Sequence, residues 1–147
     1  MKDKFEGGFR MKKLLGIVFG MVLLLGIMTA PSAQAEFITP YYVHVNDVVV
    51  SFTLNGNVAS CYGHVEPAGS NGKAYITVKL QQKIGTKWTD FASWSGTASA
   101  FGKMAVAEGT KTLTQGYSYR VAAYGTIKDR SGNVLESVSE FSATRSY

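Results

Sequence analysis

The sequence predicts an all-β domain built from two packed sheets, and three observations carry that prediction. From residue 36 onward, short apolar runs alternate with polar positions, and no stretch of useful length repeats with helical period. Turn-forming residues punctuate those runs at short intervals. An Asn55-Gly56 pair stands between two apolar runs, the strongest short-range hairpin signal. About seven short strands spaced in this way favour a two-sheet sandwich over an open sheet.

Ahead of the strands lies an export signal. Lys12 and Lys13 precede the apolar run Leu14 to Met28, which is followed by Pro31 and the small-residue sequence ending at Ala35. Basic, apolar and cleavage regions therefore stand in the order of a secretory leader. A retained anchor competes with this reading, because the run approaches the roughly 20 residues that span a bilayer. Small residues directly after a helix-breaking proline favour cleavage, with Glu36 as the first mature residue and no membrane attachment afterwards. Residues 1–35 are thus expected to form a signal peptide helix, with Met11 a more conventional start than Met1. Residues 36–147 are expected to form one domain outside the cell.

Removing the leader changes the charge argument. The chain carries a net charge of +5, from fifteen Lys and Arg against ten Asp and Glu. Residues 36–147 hold ten of those bases and eight of the acids, a net charge of +2. The ten bases are scattered along the sequence, which gives no footprint for nucleic acid. The lone cysteine, Cys61, has no bridging partner within one chain. Its place in an alternating apolar stretch favours a buried small hydrophobe over a reactive or intermolecular thiol.

The elements follow in order. Val43 and Val45 share one parity, and Val48, Val50, Phe52 and Leu54 the other, so a bulge or bend near Asn46-Asp47 is expected. Beyond the hairpin, Ala59, Cys61 and Val65 face one way, and Tyr62 and His64 the other. After the turn-rich stretch 67–73, Ala74, Ile76, Val78, Leu80 and Ile84 read as the inward face of the clearest strand. Tyr75, Thr77, Lys79, Gln81 and Lys83 read as its outward face. A turn at 83–88 leads into a strand from Trp88 to Ser95 whose parity the pattern leaves open. A Gly, Ser and Ala-rich loop, a short strand near 104–113, the strand after Gly116, a turn at 128–133 and a final strand from Val134 complete the chain.

The segment Leu113-Thr114-Gln115-Gly116-Tyr117-Ser118-Tyr119 carries a resemblance. A leucine, a turn ending in glycine, and a tyrosine leading into an alternating apolar strand resemble the corner of fibronectin type III and related immunoglobulin-like sandwiches. The resemblance implies that Tyr119 packs its ring inward while its hydroxyl reaches upstream backbone. Tyr117, of the same parity, is expected to face inward with it. Gln115 departs from the proline usual there, and the missing second core cysteine excludes the bridged immunoglobulin type.

A wider resemblance covers most of residues 36–147. The blocks TPYY, VASCYGHV, ITVKLQQKIGTKWTDFASWSG, GYSYRVAAYG and ESVSEFSATRSY resemble a family of small secreted proteins of Gram-positive bacteria with one strand-rich domain of unknown function. That resemblance implies export and fold, and it brings no activity or functional residues.

Chemistry is sparse. Cys61 and His64 are three apart on one extended strand, so they point to opposite faces and form no dyad. His44 and Asp47, with Glu36 or His64, make a weak metal set without a recognised spacing. The acids are scattered, the glycine-rich stretches lack a phosphate-binding spacing, and no cofactor is implied. The remaining candidate is surface: outward aromatics that offer flat apolar faces with a polar handle to an extracellular protein or glycan. Tyr75, Trp88, Trp94, Arg120 and Tyr124 are the candidate contacts, with Tyr62 as a further outward tyrosine. The sequence thus favours a secreted, non-enzymatic binding or adhesion module, with a glycan-binding module and a small secreted hydrolase as alternatives.

Overall fold

Residues 41–147 are described by a computed structural model, and they form eight strands and no helix: β1 Val45–Asn55, β2 Val58–Pro67, β3 Lys73–Ile84, β4 Lys87–Thr97, β5 Ala105–Thr112, β6 Ser118–Lys128, β7 Val134–Phe141 and β8 Arg145–Ser146. The expected leader over residues 1–35, the start at Met11 and the mature terminus at Glu36 lie outside the described residues. Two antiparallel sheets result. One has the order β1-β2-β5; the other has the order β4-β3-β6-β7, with β8 paired to the opposite end of β6.

The hairpins explain how the sheets start. Asn55 pairs with Val58, so the loop of the β1–β2 hairpin is Gly56-Asn57, one residue later than a loop centred on the Asn-Gly pair. Gly56 has φ +59° whereas Asn57, like every described non-glycine residue, does not have positive φ. Glycine at the first loop position matches a II′ turn, whose twist suits the flanking strands. The expected bulge is present: pairing slips between Val45 and Asp47, leaving Asn46 unpaired and switching the parity of β1.

The core lies between the sheets. Phe52, Ala59, Cys61 and Val65 from one sheet meet Ile76, Val78, Leu80, Val121 and Ile127 from the other, all buried. Tyr119 is fully buried among them. Its hydroxyl donates to the Thr114 carbonyl (2.8 Å) and accepts from the Thr114 amide (3.0 Å) and Gln82 Nε2 (3.3 Å). A polar group at the edge of the core is thereby satisfied while its ring fills space.

Three expectations need correction. Ile84 is 54% exposed instead of inward, because β6 pairs β3 only as far as Gln82 and the β3–β4 hairpin tip projects past the core. Gln81 lies on the outer face as expected, yet is buried there where Asp90 and Arg120 bond to it. Tyr117 is 40% exposed, since β6 begins only at Ser118 and the preceding turn sets Tyr117 outside the alternation. The final strand is two: Ser142 interrupts the edge, its Oγ accepting the Val121 amide at 2.8 Å, and the chain rejoins β6 as β8.

Where β4 and β5 approach, the two sheets come close at one side. A Cβ on Gly96 would lie 1.7 Å from the Val106 carbonyl oxygen, and one on Gly109 would lie 2.0 Å from Trp94 Nε1. Glycine at both positions lets the edges close over each other, which shields strands that would otherwise offer free edges.

Candidate functional site

A bulge in β4 decides which side chains share a surface. Pairing between β3 and β4 slips at Leu80/Gln81, with Ala92 opposite Leu80, Asp90 opposite Gln81 and Phe91 left over. Trp94 lies opposite inward Val78, and Trp88 opposite outward Lys83. The two tryptophans therefore occupy opposite faces of one strand. Trp94, proposed from sequence as a contact, packs against the core and over Gly109, so it is corrected to a packing residue. Tyr62 is likewise removed from the cluster, because it lies on β2 in the other sheet.

The other four candidates share one face. Tyr75, Trp88, Arg120 and Tyr124 all lie on the outer face of the larger sheet, on β3, β4 and β6. Phe141 of β7 joins them, opposite Ala122 and edge-on to Tyr124 at 6.3 Å. Sequence reasoning missed Phe141, whose register depends on where the last strand breaks.

Arg120 is the fixed point of the surface. Its guanidinium lies over both the Trp88 ring (4.4 Å) and the Phe141 ring (4.5 Å), close enough for cation–π attraction to each. Nε donates to Gln81 Oε1 at 2.9 Å, Gln81 Nε2 donates to Asp90 Oδ1 at 3.0 Å, and Lys79 Nζ donates to Asp90 Oδ2 at 2.6 Å. Hydrogen bonds from Lys79 and Gln81 hold the Asp90 carboxyl below the usual carboxylate range, and the same bond to Asp90 raises Lys79. This chain of bonds explains why Gln81 is buried: it is the polar joint between a carboxylate and a stacked guanidinium. Further cations lie over rings, Lys79 over Tyr124 (5.7 Å), Lys83 over Trp88 (5.8 Å) and Lys128 over Tyr75 (5.2 Å).

No protein-family model matches the chain, and no curated protein matches it. Among solved structures it is similar to the sporulation control protein Spo0M of Bacillus subtilis. The two are 15% identical, with a TM-score of 0.43 over 69% of this chain and 48% of that one. The chain thus spans about half the length of that structure.

A second polar cluster lies on the outer face of the smaller sheet. His64 Nε2 is 3.2 Å from Asp47 Oδ2, and His64 Nδ1 is 3.1 Å from the Tyr62 hydroxyl. The bulge at Asn46 brings Asp47 alongside His64, a contact the sequence left open. His44 is not part of this cluster; its backbone amide donates to Glu136 Oε2 at 2.6 Å. Among the described residues, no three His, Cys, Asp or Glu side chains converge as a metal set would. Glu36 lies outside those residues. The row of phenol, imidazole and carboxylate has the order of a nucleophile, base and orienting acid. β2 is the middle strand of its sheet, however, with both neighbours in register beside Tyr62. Its amides are committed to that ladder, so none is placed to hold an oxyanion. Cys61, on the inner face, is buried, and burial pushes its thiol up to about 11.

Proposed function

We propose that the chain is an exported, non-enzymatic binding module of the immunoglobulin and fibronectin type III kind, and that it works through the outer face of its larger sheet. Support for the sandwich type comes from the sheet orders and from the Tyr119 hydroxyl bonded to Thr114, the corner contact expected of that kind. Support for export comes from the sequence of the leader. The observation that carries the binding role is the convergence of Tyr75, Trp88, Arg120, Tyr124 and Phe141 on one face, with the central guanidinium already immobilised. Rigid aromatic and arginine side chains lose little freedom on contact, which is why they dominate binding surfaces.

The partner is an extracellular glycan or protein. The test is binding of the full chain to the surface of the producing cell, compared with Trp88→Ala/Tyr124→Ala and with Tyr62→Ala on the opposite sheet. The double variant should lose binding and Tyr62→Ala should keep it. Loss through Tyr62→Ala alone would move the working surface to the smaller sheet.

A further inference from the structure

The ten bases of residues 36–147 are scattered in sequence, yet the fold gathers half of them onto one face. Lys73, Lys79, Lys83, Arg120 and Lys128 all lie on the outer face of the larger sheet, through their register with Tyr75, Tyr124 and Trp88. Among the described residues, Asp90 is the carboxylate set among these cations, and it is taken by Lys79. Among the described residues no carboxylate pairs with the other four cations. Lys73 and Lys128 are direct cross-strand partners, an arrangement that costs stability when the charges are alike. Lys128 is partly offset by the Tyr75 ring beneath it, but Lys73 has no such partner, and an anion lying across both would relieve the repulsion.

Arg120 adds a specific seat. Its Nε is used by Gln81, and its two terminal nitrogens have no partner among the described residues. No buried side-chain nitrogen there lacks a hydrogen bond, so those two nitrogens face solvent. Clamped between Trp88 and Phe141, the guanidinium presents a fixed fork suited to the paired oxygens of a carboxylate, sulfate or phosphate. The cations run from Lys73 to Lys83 along β3, on the order of 30 Å at the rise of an extended strand. That length suits a polymer better than a single ion. Hydroxyls line the same face, Thr77 with Ser95 at 3.1 Å, and Thr97, Thr126 and Ser139 at register positions beside the tyrosines. Such groups donate to and accept from sugar hydroxyls. With cations already over the Tyr75, Tyr124 and Trp88 rings, base stacking of the kind that holds single-stranded nucleic acid is less well served.

We propose that this face binds a linear acidic polysaccharide, with Arg120 seating one anionic group and Lys73, Lys83 and Lys128 following the chain. The proposal rests on the binding role assigned above to the same face. It is tested with the full chain against dextran sulfate, polygalacturonate, neutral dextran, a single-stranded DNA and phosphatidylglycerol vesicles. Both acidic polysaccharides should bind, more weakly as salt rises, and neutral dextran should not. Arg120→Lys keeps the charge but loses the fork, and should weaken binding about tenfold. Lys73→Gln/Lys128→Gln, which relieves the like-charge pair, should weaken binding while leaving the melting temperature unchanged or higher. Preference for DNA or vesicles over both polysaccharides would overturn the polysaccharide in favour of that ligand. Equal binding of neutral dextran would overturn the role of charge. If no acidic polysaccharide binds but Trp88→Ala/Tyr124→Ala still abolishes attachment to producing cells, this inference falls and the binding face stands. If that double variant attaches normally, both fall.

Discussion

Removing one oxygen from Tyr119 tests the frame that positions everything else. The Tyr119→Phe variant keeps the buried ring and deletes a hydroxyl that donates to the Thr114 carbonyl and accepts from Thr114 N–H and Gln82 Nε2. A net hydrogen bond contributes about 1 kcal/mol, and a donor left buried without a partner costs more. Thr114 is exposed, so water recovers part of the loss there. The expected destabilisation is therefore about 2 kcal/mol, which lowers the melting temperature of a domain near this size by roughly 8–15 °C. Thermal unfolding followed by circular dichroism measures it, with Tyr117→Phe as the control. Tyr117 has the same chemistry two residues away, is 40% exposed, and should leave the midpoint within about 2 °C. Equal midpoints for the two variants would refute the idea that the Thr114 contact fixes the corner.

Other outcomes follow from the same contacts. Trp94→Ala should cost about 3 kcal/mol by emptying space over Gly109, whereas Trp88→Ala should cost under about 1 kcal/mol; urea unfolding separates them. Gly96→Ala should destabilise by at least about 2 kcal/mol, because the added carbon meets the Val106 backbone, which has no rotamer to yield, and a wild-type melting curve would contradict this. Cys61 titrates near 9.0 when unfolded and about 11 when folded, so its contribution is complete below pH 9 and is lost as pH rises through 11. That loss is about 3 kcal/mol in full. Denaturant midpoints at pH 8 and pH 10.5 should fall further in wild type than in Cys61→Ala, and equal falls would exclude the thiol as the cause.

Much of this was legible in the sequence, and the parts that were not share a cause. The inward sets Ala59, Cys61, Val65 and Ala74, Ile76, Val78, Leu80 follow directly from alternation, and the parity switch at Asn46 marks its own bulge. Alternation is a local signal, however, and it fails where pairing decides. The leftover Phe91 in β4 separates Trp88 from Trp94, and nothing in the order of residues 88–95 announces it. Ile84 is exposed because β6 stops pairing at Gln82, a fact held by a strand about 40 residues further along. The charged face was hidden for the same reason. Its cations lie at residues 73–83 and 120–128, apart in sequence and interleaved only by the β3–β6 register. Asp47 and His64 meet across the β1–β2 pair by the same route.

The two tryptophans supply the most direct measurement of where the protein binds. Each indole N–H gives its own signal in an amide correlation spectrum, and the two lie on opposite faces of β4. Titrating the full chain with polygalacturonate should shift the Trp88 indole and the Arg120 Nε–H signals together. The Trp94 indole, turned into the core, and the His64 ring on the opposite sheet should stay in place. Movement at His64 or Trp94 with Trp88 and Arg120 unchanged would contradict the assignment of the binding face.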